Sequence, residues 1–142
     1  MIAVDTIVLD ASAALAIVMD MAYGEVLYEG VRNAGEVIAP DLYYAEVASA
    51  LWKYVRAGAL SFEDGRERLE NALALIDRFV PMRELTMEAF HEADKQGRSI
   101  YDLYYLVLTR RENALLMSRD RKLIDLANKE RLRLVECATV PF

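Results

Sequence analysis

Four acidic residues, Asp10, Glu46, Asp102 and Asp120, are spaced along the chain in a way that could do chemistry together. Asp10 closes the apolar run Ile7-Val8-Leu9-Asp10, and Asp120 follows Leu115-Leu116-Met117-Ser118. Asp102 opens Tyr101-Asp102-Leu103-Tyr104-Tyr105, and Glu46 interrupts the apolar stretch from Leu42 to Trp52. In a parallel α/β sheet, strand ends and helix starts converge on one edge, so acids far apart in sequence can meet there. Carboxylates forced together repel unless they share protons or bind a cation. Ser12 and Ser118 each place a hydroxyl two residues from an acid. Carboxylates and hydroxyls are hard oxygen ligands, suited to Mg²⁺ or Mn²⁺ and poorly suited to copper or zinc. The pattern points to a metal-dependent hydrolase.

Each acid also has a purely structural reading. Asp10 and Asp120 precede helical patterns and are favoured N-cap residues. Asp102 lies three residues after Ser99, close to a capping box. Glu46 aligns at helical spacing with Ser49, Lys53 and Arg56, opposite Tyr44, Val47, Ala48, Leu51 and Val55. Periodicity alone favours a solvent-facing stripe for it.

Other chemistries have little to work with. His91 is the only histidine and Cys137 the only cysteine, so a Cys/His zinc site and an intrachain disulfide are disfavoured. His91 falls in Met87-Glu88-Ala89-Phe90-His91-Glu92-Ala93, which reads as an amphipathic helix with His91 at its surface or boundary. The net charge is −6, unevenly spread: residues 1–50 hold eight acids and one base, residues 110–142 eight bases and five acids. An acidic total argues against tight nonspecific nucleic-acid binding. Arg110, Arg111, Arg119, Arg121 and Lys122 are nevertheless expected to form a basic patch beside Asp120, unless they only solvate helix faces. No base precedes Arg32, and Asp10 breaks the first apolar run, which argues against a secretory signal. No segment is apolar enough to span a bilayer. The expectation is a cytoplasmic protein.

The elements that must position these acids follow from the hydrophobic pattern. With 142 residues, 55% of them hydrophobic, the chain is expected to form one domain, 1–142, around a real core. Strands are expected at Thr6–Asp10, Glu36–Ala39, Phe79–Met82, Ala114–Ser118 and Arg133–Cys137. Helices are expected at Ala11–Met19, Gly24–Asn33, Leu42–Ala57 capped by Asp41, and Ser61–Asp77. Three more are expected: one capped by Thr86 and ending near Gly97, one from Ile100 to Arg111 capped by Ser99, and one from Asp120 or Arg121 to Lys129. Five strands alternating with seven helices predict a three-layer α/β/α sandwich with a mainly parallel sheet. The second long helix follows the Leu42 helix after a short turn, predicting a helical hairpin.

Four segments taken in order resemble PIN-domain ribonucleases, and among them the VapC-type toxins of prokaryotic toxin–antitoxin pairs. They are Val8-Leu9-Asp10-Ala11-Ser12-Ala13, Ala39-Pro40-Asp41-Leu42-Tyr43-Tyr44-Ala45-Glu46-Val47, Ile100-Tyr101-Asp102-Leu103-Tyr104-Tyr105-Leu106-Val107-Leu108 and Leu116-Met117-Ser118-Arg119-Asp120-Arg121-Lys122-Leu123. Together they span nearly the whole chain. The resemblance implies a PIN-like fold and an acidic site of Asp10, Glu46, Asp102 and Asp120 that binds one or two Mg²⁺ or Mn²⁺ ions. Ser12 and Ser118 take the hydroxyl positions, with Ser118 where Thr is common. It also implies an RNA substrate, a small antitoxin that blocks the site, and a toxin homodimer. Arg119, Arg121 and Lys122 are the candidates for RNA contact.

The expected mechanism is metal-assisted hydrolysis of an RNA phosphodiester, leaving a 5′-phosphate and a 3′-hydroxyl. Asp10 is expected as central ligand, Asp102 and Asp120 as direct or water-mediated ligands, and Glu46 as the residue that orients water or completes the shell. Tyr43, Tyr44, Tyr101, Tyr104 and Tyr105 are candidates for base stacking. The apolar hairpin around Tyr43, Ala50, Trp52, Tyr54 and Leu69 is a candidate groove for a partner helix. Two alternatives stay open. One is a catalytically silent PIN-like scaffold. The other is a phosphatase or receiver-type aspartate domain, against which stands the lack of an Asp-x-Asp motif after the first strand and of an acid ending the Phe79–Met82 strand.

Overall fold

The computed structural model describes residues 5–135. Three short, largely apolar runs, β1 (Thr6–Leu9), β2 (Glu36–Pro40) and β4 (Leu115–Met117), form the inner part of a five-stranded parallel sheet, with the less buried β3 (Arg78–Val80) at one edge. The fifth strand, β5, is Arg133–Leu134; of the rest of the strand expected to reach Cys137, Val135 follows β5 and donates its N–H to Leu116 O, and the last two residues lie outside the described residues. The spatial order is β3-β2-β1-β4-β5. Ile7 of β1 sits between Val37 of β2 and Leu115 of β4. The chain therefore winds one way from β1 to β3 and the other way through β4 and β5. The crevice between β1 and β4 is the switch point at which such sheets bind ligands.

Seven α-helices cover the sheet among the described residues: α1 (Ala11–Val18), α2 (Gly24–Arg32), α3 (Leu42–Arg56), α4 (Phe62–Ala74), α5 (Thr86–Gln96), α6 (Ile100–Arg111) and α7 (Arg121–Lys129). Successive strand side chains point to opposite faces, and this splits the core in two. Ile7, Leu9, Val37, Ala39 and Met117 pack with Ala13, Leu27, Tyr43, Val47 and Ala72 of α1 to α4. Val8, Ile38 and Leu116 pack with Ala89, Leu103, Leu106, Leu123 and Leu126 of α5 to α7. The result is the expected α/β/α sandwich. α3 and α4 form the expected hairpin, drawn so close that a Cβ on Gly65 would lie 2.5 Å from Val55 Cγ2. No described helix is long and apolar enough to cross a membrane.

Several local expectations need correction. Asp41 does not cap α3; its carboxylate accepts from Met82 N at 2.9 Å across the β2–β3 edge. Ser99 makes no side-chain cap on α6. Thr86 lies inside α5 and its hydroxyl donates to Met82 O. The Ser61-capped helix stops at Ala74 rather than Asp77, because Asp77 is recruited by β2: its carboxylate accepts from Val37 N at 2.8 Å. Pro81 ends β3, and a 3-10 turn at Met82–Glu84 replaces the end of the expected strand.

Candidate active site

Asp10 is the residue after β1, and its backbone N–H donates to Met117 O of β4 at 3.1 Å. That bond ties together the carboxyl ends of the two central strands. The side chain caps α1, with Oδ1 accepting from Ala13 N at 3.0 Å. The structural reading was therefore correct, but incomplete. Oδ1 also accepts from Ser12 Oγ at 2.7 Å, and Oδ2 from Ser118 Oγ at 2.5 Å. Ser118 Oγ in turn accepts from Asp120 N at 3.0 Å, and Ser12 Oγ accepts from Arg119 N at 2.8 Å. The two serines thus stitch the β1 end to the β4 end through the acid.

Burial dominates the electrostatics of Asp10, which is 5% exposed. Desolvation pushes its carboxyl up from 3.8 to about 7, with the Asp120 charge adding to the rise and the three hydrogen bonds opposing it. Asp120 begins α7 and caps it, accepting from Lys122 N at 2.8 Å and Leu123 N at 3.3 Å. Asp102 is half-buried in the first turn of α6. Its carboxyl is raised by burial and by Asp120, against the lowering effect of Arg98 and Lys122.

Glu46 departs from its sequence reading. It is half-buried rather than part of an open stripe, and Tyr105 OH donates to its Oε1 at 2.6 Å. Burial raises its carboxyl, the Tyr105 bond lowers it, and the charges of Asp102 and Asp120 raise it further. The four sequence-predicted acids are therefore linked through the Asp120 charge, and Asp102 also acts on Glu46. Asp120 raises each of the other three, although Asp10 and Asp120 follow central strands while Glu46 and Asp102 come from α3 and α6. Among the described residues no three acid, His or Cys side chains close on one point as a preformed cage would. The cluster offers oxygen donors and accumulates negative charge at a switch point. It can hold a hard cation by a few carboxylates with water completing the shell, the usual manner of Mg²⁺.

Residues 7–129 match the family model of the PIN domain. The chain belongs to the PIN domain family. It is 32% identical over 124 residues to a protein of Pyrobaculum aerophilum named Ribonuclease VapC3, a match covering 84% of this chain and 92% of that protein. Among solved structures, the crystal structure of PAE2754 from Pyrobaculum aerophilum superposes with a TM-score of 0.67. That match covers 85% of this chain and 78% of the other at 20% identity, and shows the fold.

Around this PIN-domain cluster, the expected basic patch divides. Lys122 acts on Asp102, as does Arg98, which the sequence reading missed. Arg119 lies over the Tyr23 ring at 5.2 Å, and Tyr23 is a second residue the sequence did not single out. Arg110 and Arg111 do not belong to the patch. They occupy the last turn of α6, the end opposite Asp102, and are held by Glu88 and Glu92 at 2.7 to 2.9 Å. His91 is exposed, as expected.

The tyrosine candidates separate in the same way. Tyr43 is buried and donates to Ala72 O, Tyr104 shares a hydrogen bond with Thr86 Oγ1, and Tyr105 serves Glu46. Tyr44 stacks on Phe79, and Tyr101 is exposed. In the hairpin, Trp52 is exposed but Tyr43 is core. A groove of about 910 Å³ lies elsewhere, between the α1–α2 connection and α4, lined by Val18, Met21, Tyr23, Val26 and Arg68 among others. None of the four acids lines it, so its size is no guide to the chemistry.

Proposed function

We propose that this protein is a Mg²⁺- or Mn²⁺-dependent endoribonuclease and the toxin of a toxin–antitoxin pair. The observation that carries the reading is the coupled acid cluster at the β1–β4 switch point, centred on a buried Asp10 whose carboxyl is pushed to about 7. Mutual repulsion of this kind is relieved by a divalent cation, and the oxygen-only donor set suits these two ions. Similarity to a protein named Ribonuclease VapC3 supports RNA as the substrate.

Asp10, Asp102, Asp120 and Glu46 would hold the ion. When bound, it would polarise a phosphoryl oxygen and lower the pKa of a coordinated water. The chain's own residues do the rest. Ser12 and Ser118 fix both oxygens of Asp10, so its carboxylate cannot swing out of the crevice. Glu46, held by Tyr105, is placed to accept a proton from water or to orient it. Arg98, Lys122, Arg119 and Arg121 supply positive charge at the rim for an anionic backbone. Partners on this reading are RNA, a small antitoxin and a second copy of the chain, in the cytoplasm.

The test compares wild type with Asp10→Asn for growth arrest in a host and for RNA fragments in vitro with Mn²⁺. Arrest and cleavage by wild type alone are expected; equal behaviour of the two overturns the mechanism. The absence of any three described acids closing on one point favours a second reading, a PIN-domain scaffold that binds a partner without cutting. Purified protein that neither binds Mn²⁺ nor cleaves RNA would select it.

A further inference from the structure

Three buried or nearly buried phenols, Tyr43, Tyr104 and Tyr105, lie within the core, and each hydroxyl needs a partner because an unpaired one is costly. Tyr43 finds a neutral carbonyl, Ala72 O at 2.6 Å, and Tyr104 finds the Thr86 hydroxyl at 2.9 Å. Tyr105, 2% exposed, instead donates to a carboxylate, Glu46 Oε1 at 2.6 Å. Tyr43 donates over the same distance, so what sets Tyr105 apart is its acceptor: a bond to an ionised carboxylate is charge-assisted and roughly twice as strong as a neutral one. Tyr105 follows Asp102 by three residues, so one face of α6 carries both toward α3. The aromatic ring is locked by the core around Val8, Leu42 and Leu103, and it offers the flexible Glu46 side chain a fixed anchor.

We infer that Tyr105 is a positioning residue: its buried hydroxyl holds the Glu46 carboxylate aimed into the acid cluster, and so sets the cluster's affinity for a divalent cation. The inference rests on the ribonuclease reading only for its effect on cleavage. Partners that orient a metal-binding carboxylate typically change metal affinity by about 10- to 100-fold. A tyrosine present merely to fill the core would have no such effect, because phenylalanine fills the same space.

The experiment is a double-mutant cycle read by Mn²⁺ binding, with calorimetry and the Mn²⁺ electron paramagnetic resonance signal as measurements. The proteins are wild type, Tyr105→Phe, Glu46→Ala and the double variant, with Tyr104→Phe as a matched loss of a buried hydroxyl away from the acids. Tyr105→Phe is expected to weaken Mn²⁺ binding about tenfold, Tyr104→Phe to leave it unchanged, and the double variant to match Glu46→Ala. Glu46→Asp, which keeps the charge but withdraws it from the phenol without touching the core, is expected to behave like Tyr105→Phe. On RNA, Tyr105→Phe should lower kcat with KM nearly unchanged. A Tyr105→Phe effect that persists in the Glu46→Ala background overturns the inference, as does wild-type Mn²⁺ affinity in Tyr105→Phe or Glu46→Asp. If the Mn²⁺ cycle shows the coupling while wild type leaves RNA intact, the positioning role stands and the ribonuclease reading falls.

Discussion

Replacing Asp10 by Asn should make the metal-free protein more stable, although it removes the central residue of the acid cluster. The folded-state carboxyl is raised from 3.8 to about 7 by burial first, and by Asp120 in addition. Between those values the folded protein keeps a proton that the unfolded chain has released. Stability linked to Asp10 is therefore fully present below about pH 4 and falls as pH rises, until the loss is complete above about pH 7. A rise of about three units corresponds to about 4 kcal/mol. Asn stays neutral and avoids that loss. Its Oδ1 can keep the bonds from Ser12 and Ala13, while its amide turns toward Ser118, whose oxygen must accept a second bond and whose proton loses its acceptor. Rearranging one buried hydrogen bond offsets about 1 kcal/mol, leaving a net gain of about 3 kcal/mol. Urea unfolding in EDTA checks this: the gain should be about 3 kcal/mol near pH 8 and close to zero near pH 5, where most of the loss has not yet set in. Adding Mn²⁺ should reverse the order by stabilising wild type alone. A variant no more stable than wild type near pH 8 in EDTA, or equally favoured at both pH values, would refute the reasoning.

Three further outcomes can be measured with the same proteins and methods. Ser118→Ala removes the 2.5 Å donor to Asp10 and the acceptor for Asp120 N, and should cost about 1–3 kcal/mol in urea unfolding near neutral pH. Asp120→Ala should lose about 1 kcal/mol with the α7 cap, whereas Asp120→Ser should keep the cap; both should bind Mn²⁺ more weakly in calorimetry. Lys122→Ala should weaken RNA binding and reduce the salt slope by about one in filter-binding titrations, while Arg110→Ala, remote and held by Glu88 and Glu92, should leave both unchanged.

Local chemistry made most of the scaffold legible. The runs at Thr6–Leu9 and Leu115–Met117 are too short and too uniformly apolar to be anything but buried strands, and the acid after each begins a helix. What local patterns misread were residues whose partners come from another element. Asp41 and Asp77 look like parts of helices, yet each serves a backbone N–H some forty residues away. Arg110 and Arg111 are close in sequence to Ser118 and Asp120. A strand, however, carries the chain from one edge of the sheet to the other, about 3.3 Å per residue, and β4 separates the two groups. Glu46 was misplaced because helical periodicity allows a helix one buried side. α3 meets α6 as well as the sheet, and Tyr105 reaches the polar stripe from there.

The sequence by itself determined which acids could act, because its single His and Cys left carboxylates as the available chemistry. It also determined the order of strands and helices that carries them, since periodicity and capping are local properties. Only the tertiary structure decided that β1 lies beside β4, that Ser12 and Ser118 grip one buried carboxyl, and that a phenol holds Glu46. Those facts depend on burial and on pairings across up to 108 positions. Desolvation and charge coupling act through space, and spacing along a chain does not report them.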